Sequence, residues 1–166
     1  MVAYHRGMGR STETRPPASH PRVGRLVANV GFLASRFTYF AARAASDVLE
    51  PYGLNIRSFT ALELAAGDHG SSQRSLGRVL CLDPSNVVRL IDDLEERGLV
   101  LRVRDPADRR RTIIAATSTG RDVAERTATA VERAYEDLLS PLYDDDRGTM
   151  MALLERVALA DLDDDS

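Results

Sequence analysis

At 166 residues the chain suits one ordinary domain or two small pieces sharing a core, and 43% hydrophobic residues are enough to bury one. Its 28% charged residues, absence of tryptophan and lack of any run of 18 apolar residues exclude a membrane protein and a disordered activator. The net charge of −3 is segregated: residues 1–56 carry seven Arg against three acids, residues 57–111 ten against nine, and residues 112–166 five against thirteen.

Cysteine and histidine usage narrows the chemistry further. A lone Cys81 excludes an internal disulfide framework, and His5, His20 and His69 lie too far apart in sequence for a local metal cluster, so neither metal nor cofactor is expected. The first residues have no apolar core of signal-peptide length, and a reducing compartment suits the single thiol, which points to the cytoplasm. All 22 basic residues are Arg, so every cationic contact is a planar fork able to bind bidentately.

Residues 1–21 hold Pro16, Pro17 and Pro21 among Gly, Ser and Thr without periodicity, and are expected to form a mobile arm. From Val23 the apolar residues Val27, Val30, Leu33, Phe37, Phe40, Ala44 and Val48 recur at three- and four-residue steps, predicting one long helix that ends before Pro51. A second helix is expected from Arg57 to Ala66, closed by the turn Gly67-Asp68-His69-Gly70, in which His69 caps.

Two short helices follow. The first is capped by Ser72 and presents Leu76, Val79 and Leu80. The second opens with Asp83 as cap and Pro84 at its first position, where a missing N–H costs nothing, and ends at Gly98. Between them, Cys81 is expected to be a small buried hydrophobe. Two helices joined by a short turn make a helix-turn-helix.

Residues 99–104 and 112–116 read as strands around the turn Asp105-Pro106-Ala107-Asp108, giving a hairpin with Arg109, Arg110 and Arg111 at its tip. A hairpin directly after a helix-turn-helix is a wing. Thr117 caps a further long helix that runs to Pro141, and a final helix is expected from about Asp144 to Leu159, with acids at its start complementing its dipole. The fold class is mainly α with a small β-hairpin wing: a winged helix-turn-helix lobe flanked by long helices.

The groups with chemical meaning lie at two places. Ser85, Asn86 and Arg89 fall on the first turns of the second short helix, away from Val87, Leu90 and Ile91, where short polar groups reach base edges in a major groove and Arg reaches guanine or phosphate. Ser72 and Gln73, at the start of the preceding helix, suit phosphate and set register. At the hairpin tip the Arg cluster suits the negative potential of a narrow minor groove, with Asp108 holding a neighbouring guanidinium.

The segments Ser72-Gln73-Arg74-Ser75-Leu76, Leu82-Asp83-Pro84-Ser85-Asn86-Val87-Val88-Arg89-Leu90-Ile91 through Arg97-Gly98-Leu99-Val100, Asp105-Pro106-Ala107-Asp108-Arg109-Arg110 and Thr117-Ser118-Thr119-Gly120 resemble the MarR family of bacterial winged helix-turn-helix regulators. The resemblance runs over residues 22–160 and implies a homodimer on a palindromic operator in double-stranded DNA, with residues 22–50 and 118–160 forming the dimerisation lobe, 55–117 the reading lobe and 161–166 an acidic tail. By position it places Ser85, Asn86 and Arg89 in the major groove and Arg110, flanked by Arg109 and Asp108, in the minor groove. Two departures stand out: Ser75 replaces the Glu that would complete a capping box, and Ala116 replaces a larger aliphatic residue behind the wing.

The resemblance also implies a small aromatic or phenolic effector, for which Phe37, Tyr39, Phe40, Arg43 and Phe59 are the candidate contacts, although aromatic residues at helical spacing also serve as core. Catalytic residues are not expected, since no Gly-rich phosphate loop, nucleophile elbow or HExxH occurs. Kinship implies a repressor among DNA-binding regulators. The rival reading is a winged-helix protein-interaction module, which the acidic total favours and the Arg-tipped hairpin opposes.

Overall fold

The computed structural model describes residues 23–160 and 162; the arm expected over 1–21 lies outside them, as does all of the acidic end except Leu162. Two compact units divide between Phe37 and Thr38. In the first, a short 3-10 turn over Gly24–Ala28 precedes α1, Val30–Leu49. The single helix expected from Val23 is thus broken. Asn29 has an extended backbone and its Oδ1 accepts the Phe32 N–H at 2.8 Å, so it starts a new helix that apolar spacing alone does not reveal.

In the second unit α1 ends in a 3-10 turn over Glu50–Tyr52, and α2 spans Ile56–Ala66. Asn55 caps α2, accepting from Arg57 and Ser58 while Ser58 Oγ accepts the Asn55 N–H, a reciprocal capping box. Then come α3, Gln73–Val79, and α4, Pro84–Glu96, capped by Ser72 and Asp83 as the sequence predicts. Ser72 accepts only the Ser75 N–H, at 3.1 Å: Ser75 makes no reciprocal bond, so this cap stays half a box.

The end of α4 is a Schellman turn. Gly98, at φ 69°, donates to Glu95, and Leu99 donates to Leu94, which fills the last carbonyls of the helix and turns the chain into the wing. Strands β1, Val100–Arg104, and β2, Thr112–Ala116, pair antiparallel with Val100 opposite Ala116 and Arg104 opposite Thr112. Ser71 adds a single rung on the other side of β2 by exchanging two backbone bonds with Ile114. The last elements are α5, Ser118–Leu138, and α6, Asp144–Ala158.

The core of this unit gathers Leu62 of α2, Leu76 of α3, Ile91 and Leu94 of α4, Ile114 of β2 and Val131 of α5. Fully burying side chains of this size contributes about 1.5–3 kcal/mol each. It is therefore the packing of α2 to α5 around the hairpin that holds α3, α4 and the wing in place. Two arginines reinforce α4: Arg97 donates to the carbonyls of Gly53 (3.0 Å) and Tyr52 (2.7 Å), and Arg102 of β1 pairs with Asp92 (2.6 Å) and Glu95. No helix among the described residues is long and apolar enough to cross a membrane.

Candidate nucleic-acid interface

The turn joining α3 to α4 sets the geometry of the site. Cys81 sits at φ 51°, its N–H bonded to Arg78, and Leu82 N–H reaches Gly77 at 2.9 Å. This repeats the Schellman turn with Cys81 in the place glycine usually takes. The thiol is exposed, which corrects the expectation of a buried hydrophobe: a residue at that position of the turn is carried away from the core by its left-handed backbone.

Ser85, Asn86 and Arg89 are all exposed on α4, while Val87 and Ile91 on its other face are buried. The first two are not free rotors. Asp83 Oδ1 accepts the Ser85 N–H (3.0 Å), the Ser85 hydroxyl (2.6 Å) and the Asn86 N–H (3.1 Å), and Asp83 Oδ2 accepts the Asn86 side-chain amide. These donors, the Ser85 hydroxyl foremost and then the backbone and side chain of Asn86, lower the Asp83 pKa to about 2.

Gln73 is half-buried and, with Arg74, Arg78, Pro84 and Val88, lines a groove of about 360 Å³ between α3 and α4. Arg74, exposed at the start of α3, adds a cation beside Gln73 that the pattern of caps and apolar spacing does not single out. Ser72 uses its oxygen to cap α3, and its hydroxyl hydrogen is the part that remains for phosphate.

At the wing tip both carboxylates are engaged by backbone. Asp105 Oδ1 accepts the Ala107 N–H at 2.8 Å and Asp108 Oδ1 accepts the Arg110 N–H at 3.0 Å. Asp108 thus shapes the tip and holds no guanidinium among the described residues, which corrects the expectation from sequence; a carboxylate two residues before an N–H closes a local turn more readily than it reaches a long side chain. Arg109, Arg110 and Arg111 are exposed, and no ion pair involves them among the described residues.

Exposed arginines stand on a helix-turn-helix and on the tip of the hairpin that follows, and the comparisons with known proteins agree with this architecture. Residues 54–112 match the model of the MarR family. A protein of Thauera aromatica assigned as transcriptional regulator of the hcr operon is 32% identical over 135 residues, 81% of each chain. The chain belongs to the MarR family. Among solved structures, CouR from Rhodococcus jostii RHA1 bound to p-coumaroyl-CoA is 38% identical with a TM-score of 0.75, over 80% of this chain and 94% of that one. The transcriptional repressor CouR bound to a 23-mer DNA duplex is 29% identical with a TM-score of 0.73, over 84% and 99%. As a MarR-family member the chain is a DNA-binding transcriptional regulator, not an enzyme.

The residues named for an effector are less gathered. Tyr39 and Phe40 pack edge to face with ring centres 5.3 Å apart, and both are exposed. Phe37 and Arg43 are also exposed, whereas Phe59 is partly buried against the core. Glu63, one turn after Phe59 on the same face of α2, is a residue the sequence did not point to: its Oε1 is buried without a hydrogen-bond partner, and burial raises its pKa. Sequence shows only that a carboxylate interrupts the apolar residues of this helix. A second groove of about 540 Å³ runs between His69, Asp105, Pro106, Ile113 and Arg121, behind the wing.

Proposed function

We propose that this MarR-family protein is a repressor that binds a palindromic operator as a homodimer and releases it when an aromatic effector binds. Residues 22–50 and 118–160 would form the dimerisation lobe and residues 55–117 the reading lobe. On this reading Ser85, Asn86 and Arg89 meet bases, Ser72 and Gln73 meet phosphate, and Arg110 with Arg109 meets the minor groove, Asp108 shaping the tip.

The observation that carries the dimer is α6. No residue of it is buried, and Met151, Leu153, Leu154 and Val157 are exposed, Val157 at 80%. An isolated helix of 15 residues is marginal in water and is stabilised mainly by covering an apolar face. A second copy would cover it, and two reading helices would then meet DNA about one helical turn apart, of order 34 Å.

The effector class rests on kinship with CouR, whose bound ligand is p-coumaroyl-CoA, and on the exposed aromatic and cationic side chains Phe37, Tyr39, Phe40 and Arg43. Operator fragments recovered from the source genome, bound to the full chain across a salt series with and without p-coumaroyl-CoA, test the whole reading. Affinity should fall steeply with salt, and the thioester should weaken binding by about 5- to 150-fold. Failure to bind any duplex at low salt would sink DNA recognition by these residues. Undiminished binding with p-coumaroyl-CoA present would sink the effector class alone.

A further inference from the structure

We propose that Asp83 determines which bases α4 accepts, by turning the amide of Asn86 and the hydroxyl of Ser85 so that both present oxygen acceptors to the DNA. This rests on the reading of α4 as the base-contacting helix. A cap needs one oxygen: Ser72 caps α3 with its single hydroxyl, and Asp83 satisfies the backbone N–H groups of both Ser85 and Asn86 through Oδ1 alone. The second carboxylate oxygen, Oδ2, receives the Asn86 side chain instead.

An ionised carboxylate can only accept, so the atom Asn86 turns toward it must be Nδ2. The carbonyl Oδ1 of Asn86 and one N–H then remain for a partner. Ser85 likewise gives its hydroxyl hydrogen to Asp83 Oδ1 at 2.6 Å and keeps only lone pairs. Both residues are exposed, and no hydrogen bond to either oxygen is made among the described residues. In the major groove the matching donors are the exocyclic amino groups of adenine and cytosine, whereas guanine and thymine offer carbonyl acceptors that would oppose these oxygens.

The test is relative affinity for a library of operator half-sites varied one base at a time, measured on the full-length protein as wild type, N86A, D83N and D83S. N86A identifies the position that Asn86 faces, by loss of preference there. At that position the wild type should favour adenine or cytosine roughly tenfold over guanine or thymine. In D83N the cap survives, because Asn caps as well as Asp, but an amino group replaces Oδ2 and draws the Asn86 oxygen inward. Its preference should move to guanine or thymine. D83S keeps the cap without a second arm and should flatten the preference to within about twofold.

Both Asp83 variants remove a negative charge near phosphate and should bind all sequences more tightly, which is why ratios between bases are read and not absolute affinities. Helical content and melting temperature show that each variant folds; were D83N to unfold, D83S alone would decide. Wild-type ratios retained in the folded Asp83 variants would overturn the inference while leaving α4 as the reading helix. Equal weakening of every sequence by N86A would overturn both.

Discussion

Gly120 sets the distance between the start of α5 and the chain leaving α4. A Cβ built there would lie 1.9 Å from the Leu99 carbonyl oxygen, which itself accepts the Thr117 N–H at 3.0 Å. Thr117 closes the joint, its hydroxyl donating to Gly98 at 2.7 Å and accepting from Gly120 at 2.9 Å. Gly120→Ala should therefore cost about 1–3 kcal/mol or more, because backbone and not a flexible side chain must move, and thermal melting would show it. Cys81→Gly should act oppositely. Relief of the left-handed backbone, about 1–2 kcal/mol, outweighs the added freedom of the unfolded chain, about 0.4–1 kcal/mol, so a small rise in melting temperature is expected. Glu63 adds a pH signature. Burial raises its folded-state pKa, so its contribution is fully present below the ordinary carboxylate range and is lost as pH rises through the raised value. Glu63→Gln should gain melting temperature over wild type at pH 7 and show no gain at pH 4. Asp83 has the opposite sign, contributing above its ordinary value of 3.8 and losing that contribution as pH falls toward about 2.

At the scale of elements, the wing is a two-stranded hairpin that would be marginal alone. Its base is held by Ile114 in the core, by the Ser71 rung and by the pairing of Arg102 with Asp92 and Glu95 of α4, so the wing is tied to α4. Arg110→Ala leaves these supports intact and should act on DNA alone. Operator affinity should fall, and the slope of log affinity against log salt should drop by about 0.9 for each phosphate no longer neutralised, twice over in a dimer. An unchanged slope in a folded variant would remove the wing from the interface. The elements themselves were largely legible: Asp83-Pro84, Gly98 and Thr117 mark their helix ends chemically, and the structure follows them. The break at Asn29 and the capping box of Asn55 and Ser58 were not, since apolar periodicity counts side chains on a face and is blind to one polar group bonding its own backbone.

For the whole molecule, the decisive feature is how much apolar surface a single protomer leaves bare on α6. Val157→Glu places a charge on a side chain that is 80% exposed among the described residues, so folding should be little affected. Sedimentation should then report monomers, and operator affinity should fall by about 100-fold or more as the advantage of two linked reading lobes disappears. A dimer that survives the substitution would move the subunit interface away from this face. The same scale governs the candidate site. Ser85, Asn86, Arg89 and Arg110 are found exposed, as their positions in the pattern required, but the sharing of Asp83 between Ser85 and Asn86 is a matter of rotamers that spacing does not carry.

What the amino-acid order settled alone was local: where α4 starts and stops and where α5 starts, that a hairpin follows a helix-turn-helix, and which polar groups stand on the outer face of α4, because caps, turns and periodicity act over a few residues. Folding in three dimensions decided the rest. The Arg102 clamp, the Arg97 bonds to Tyr52 and Gly53, the close approach of Gly120 to Leu99 and the partnerless oxygen of Glu63 join residues from different elements or depend on what surrounds them. Such relations follow from how the core brings distant stretches of chain together, and no window along the sequence contains them.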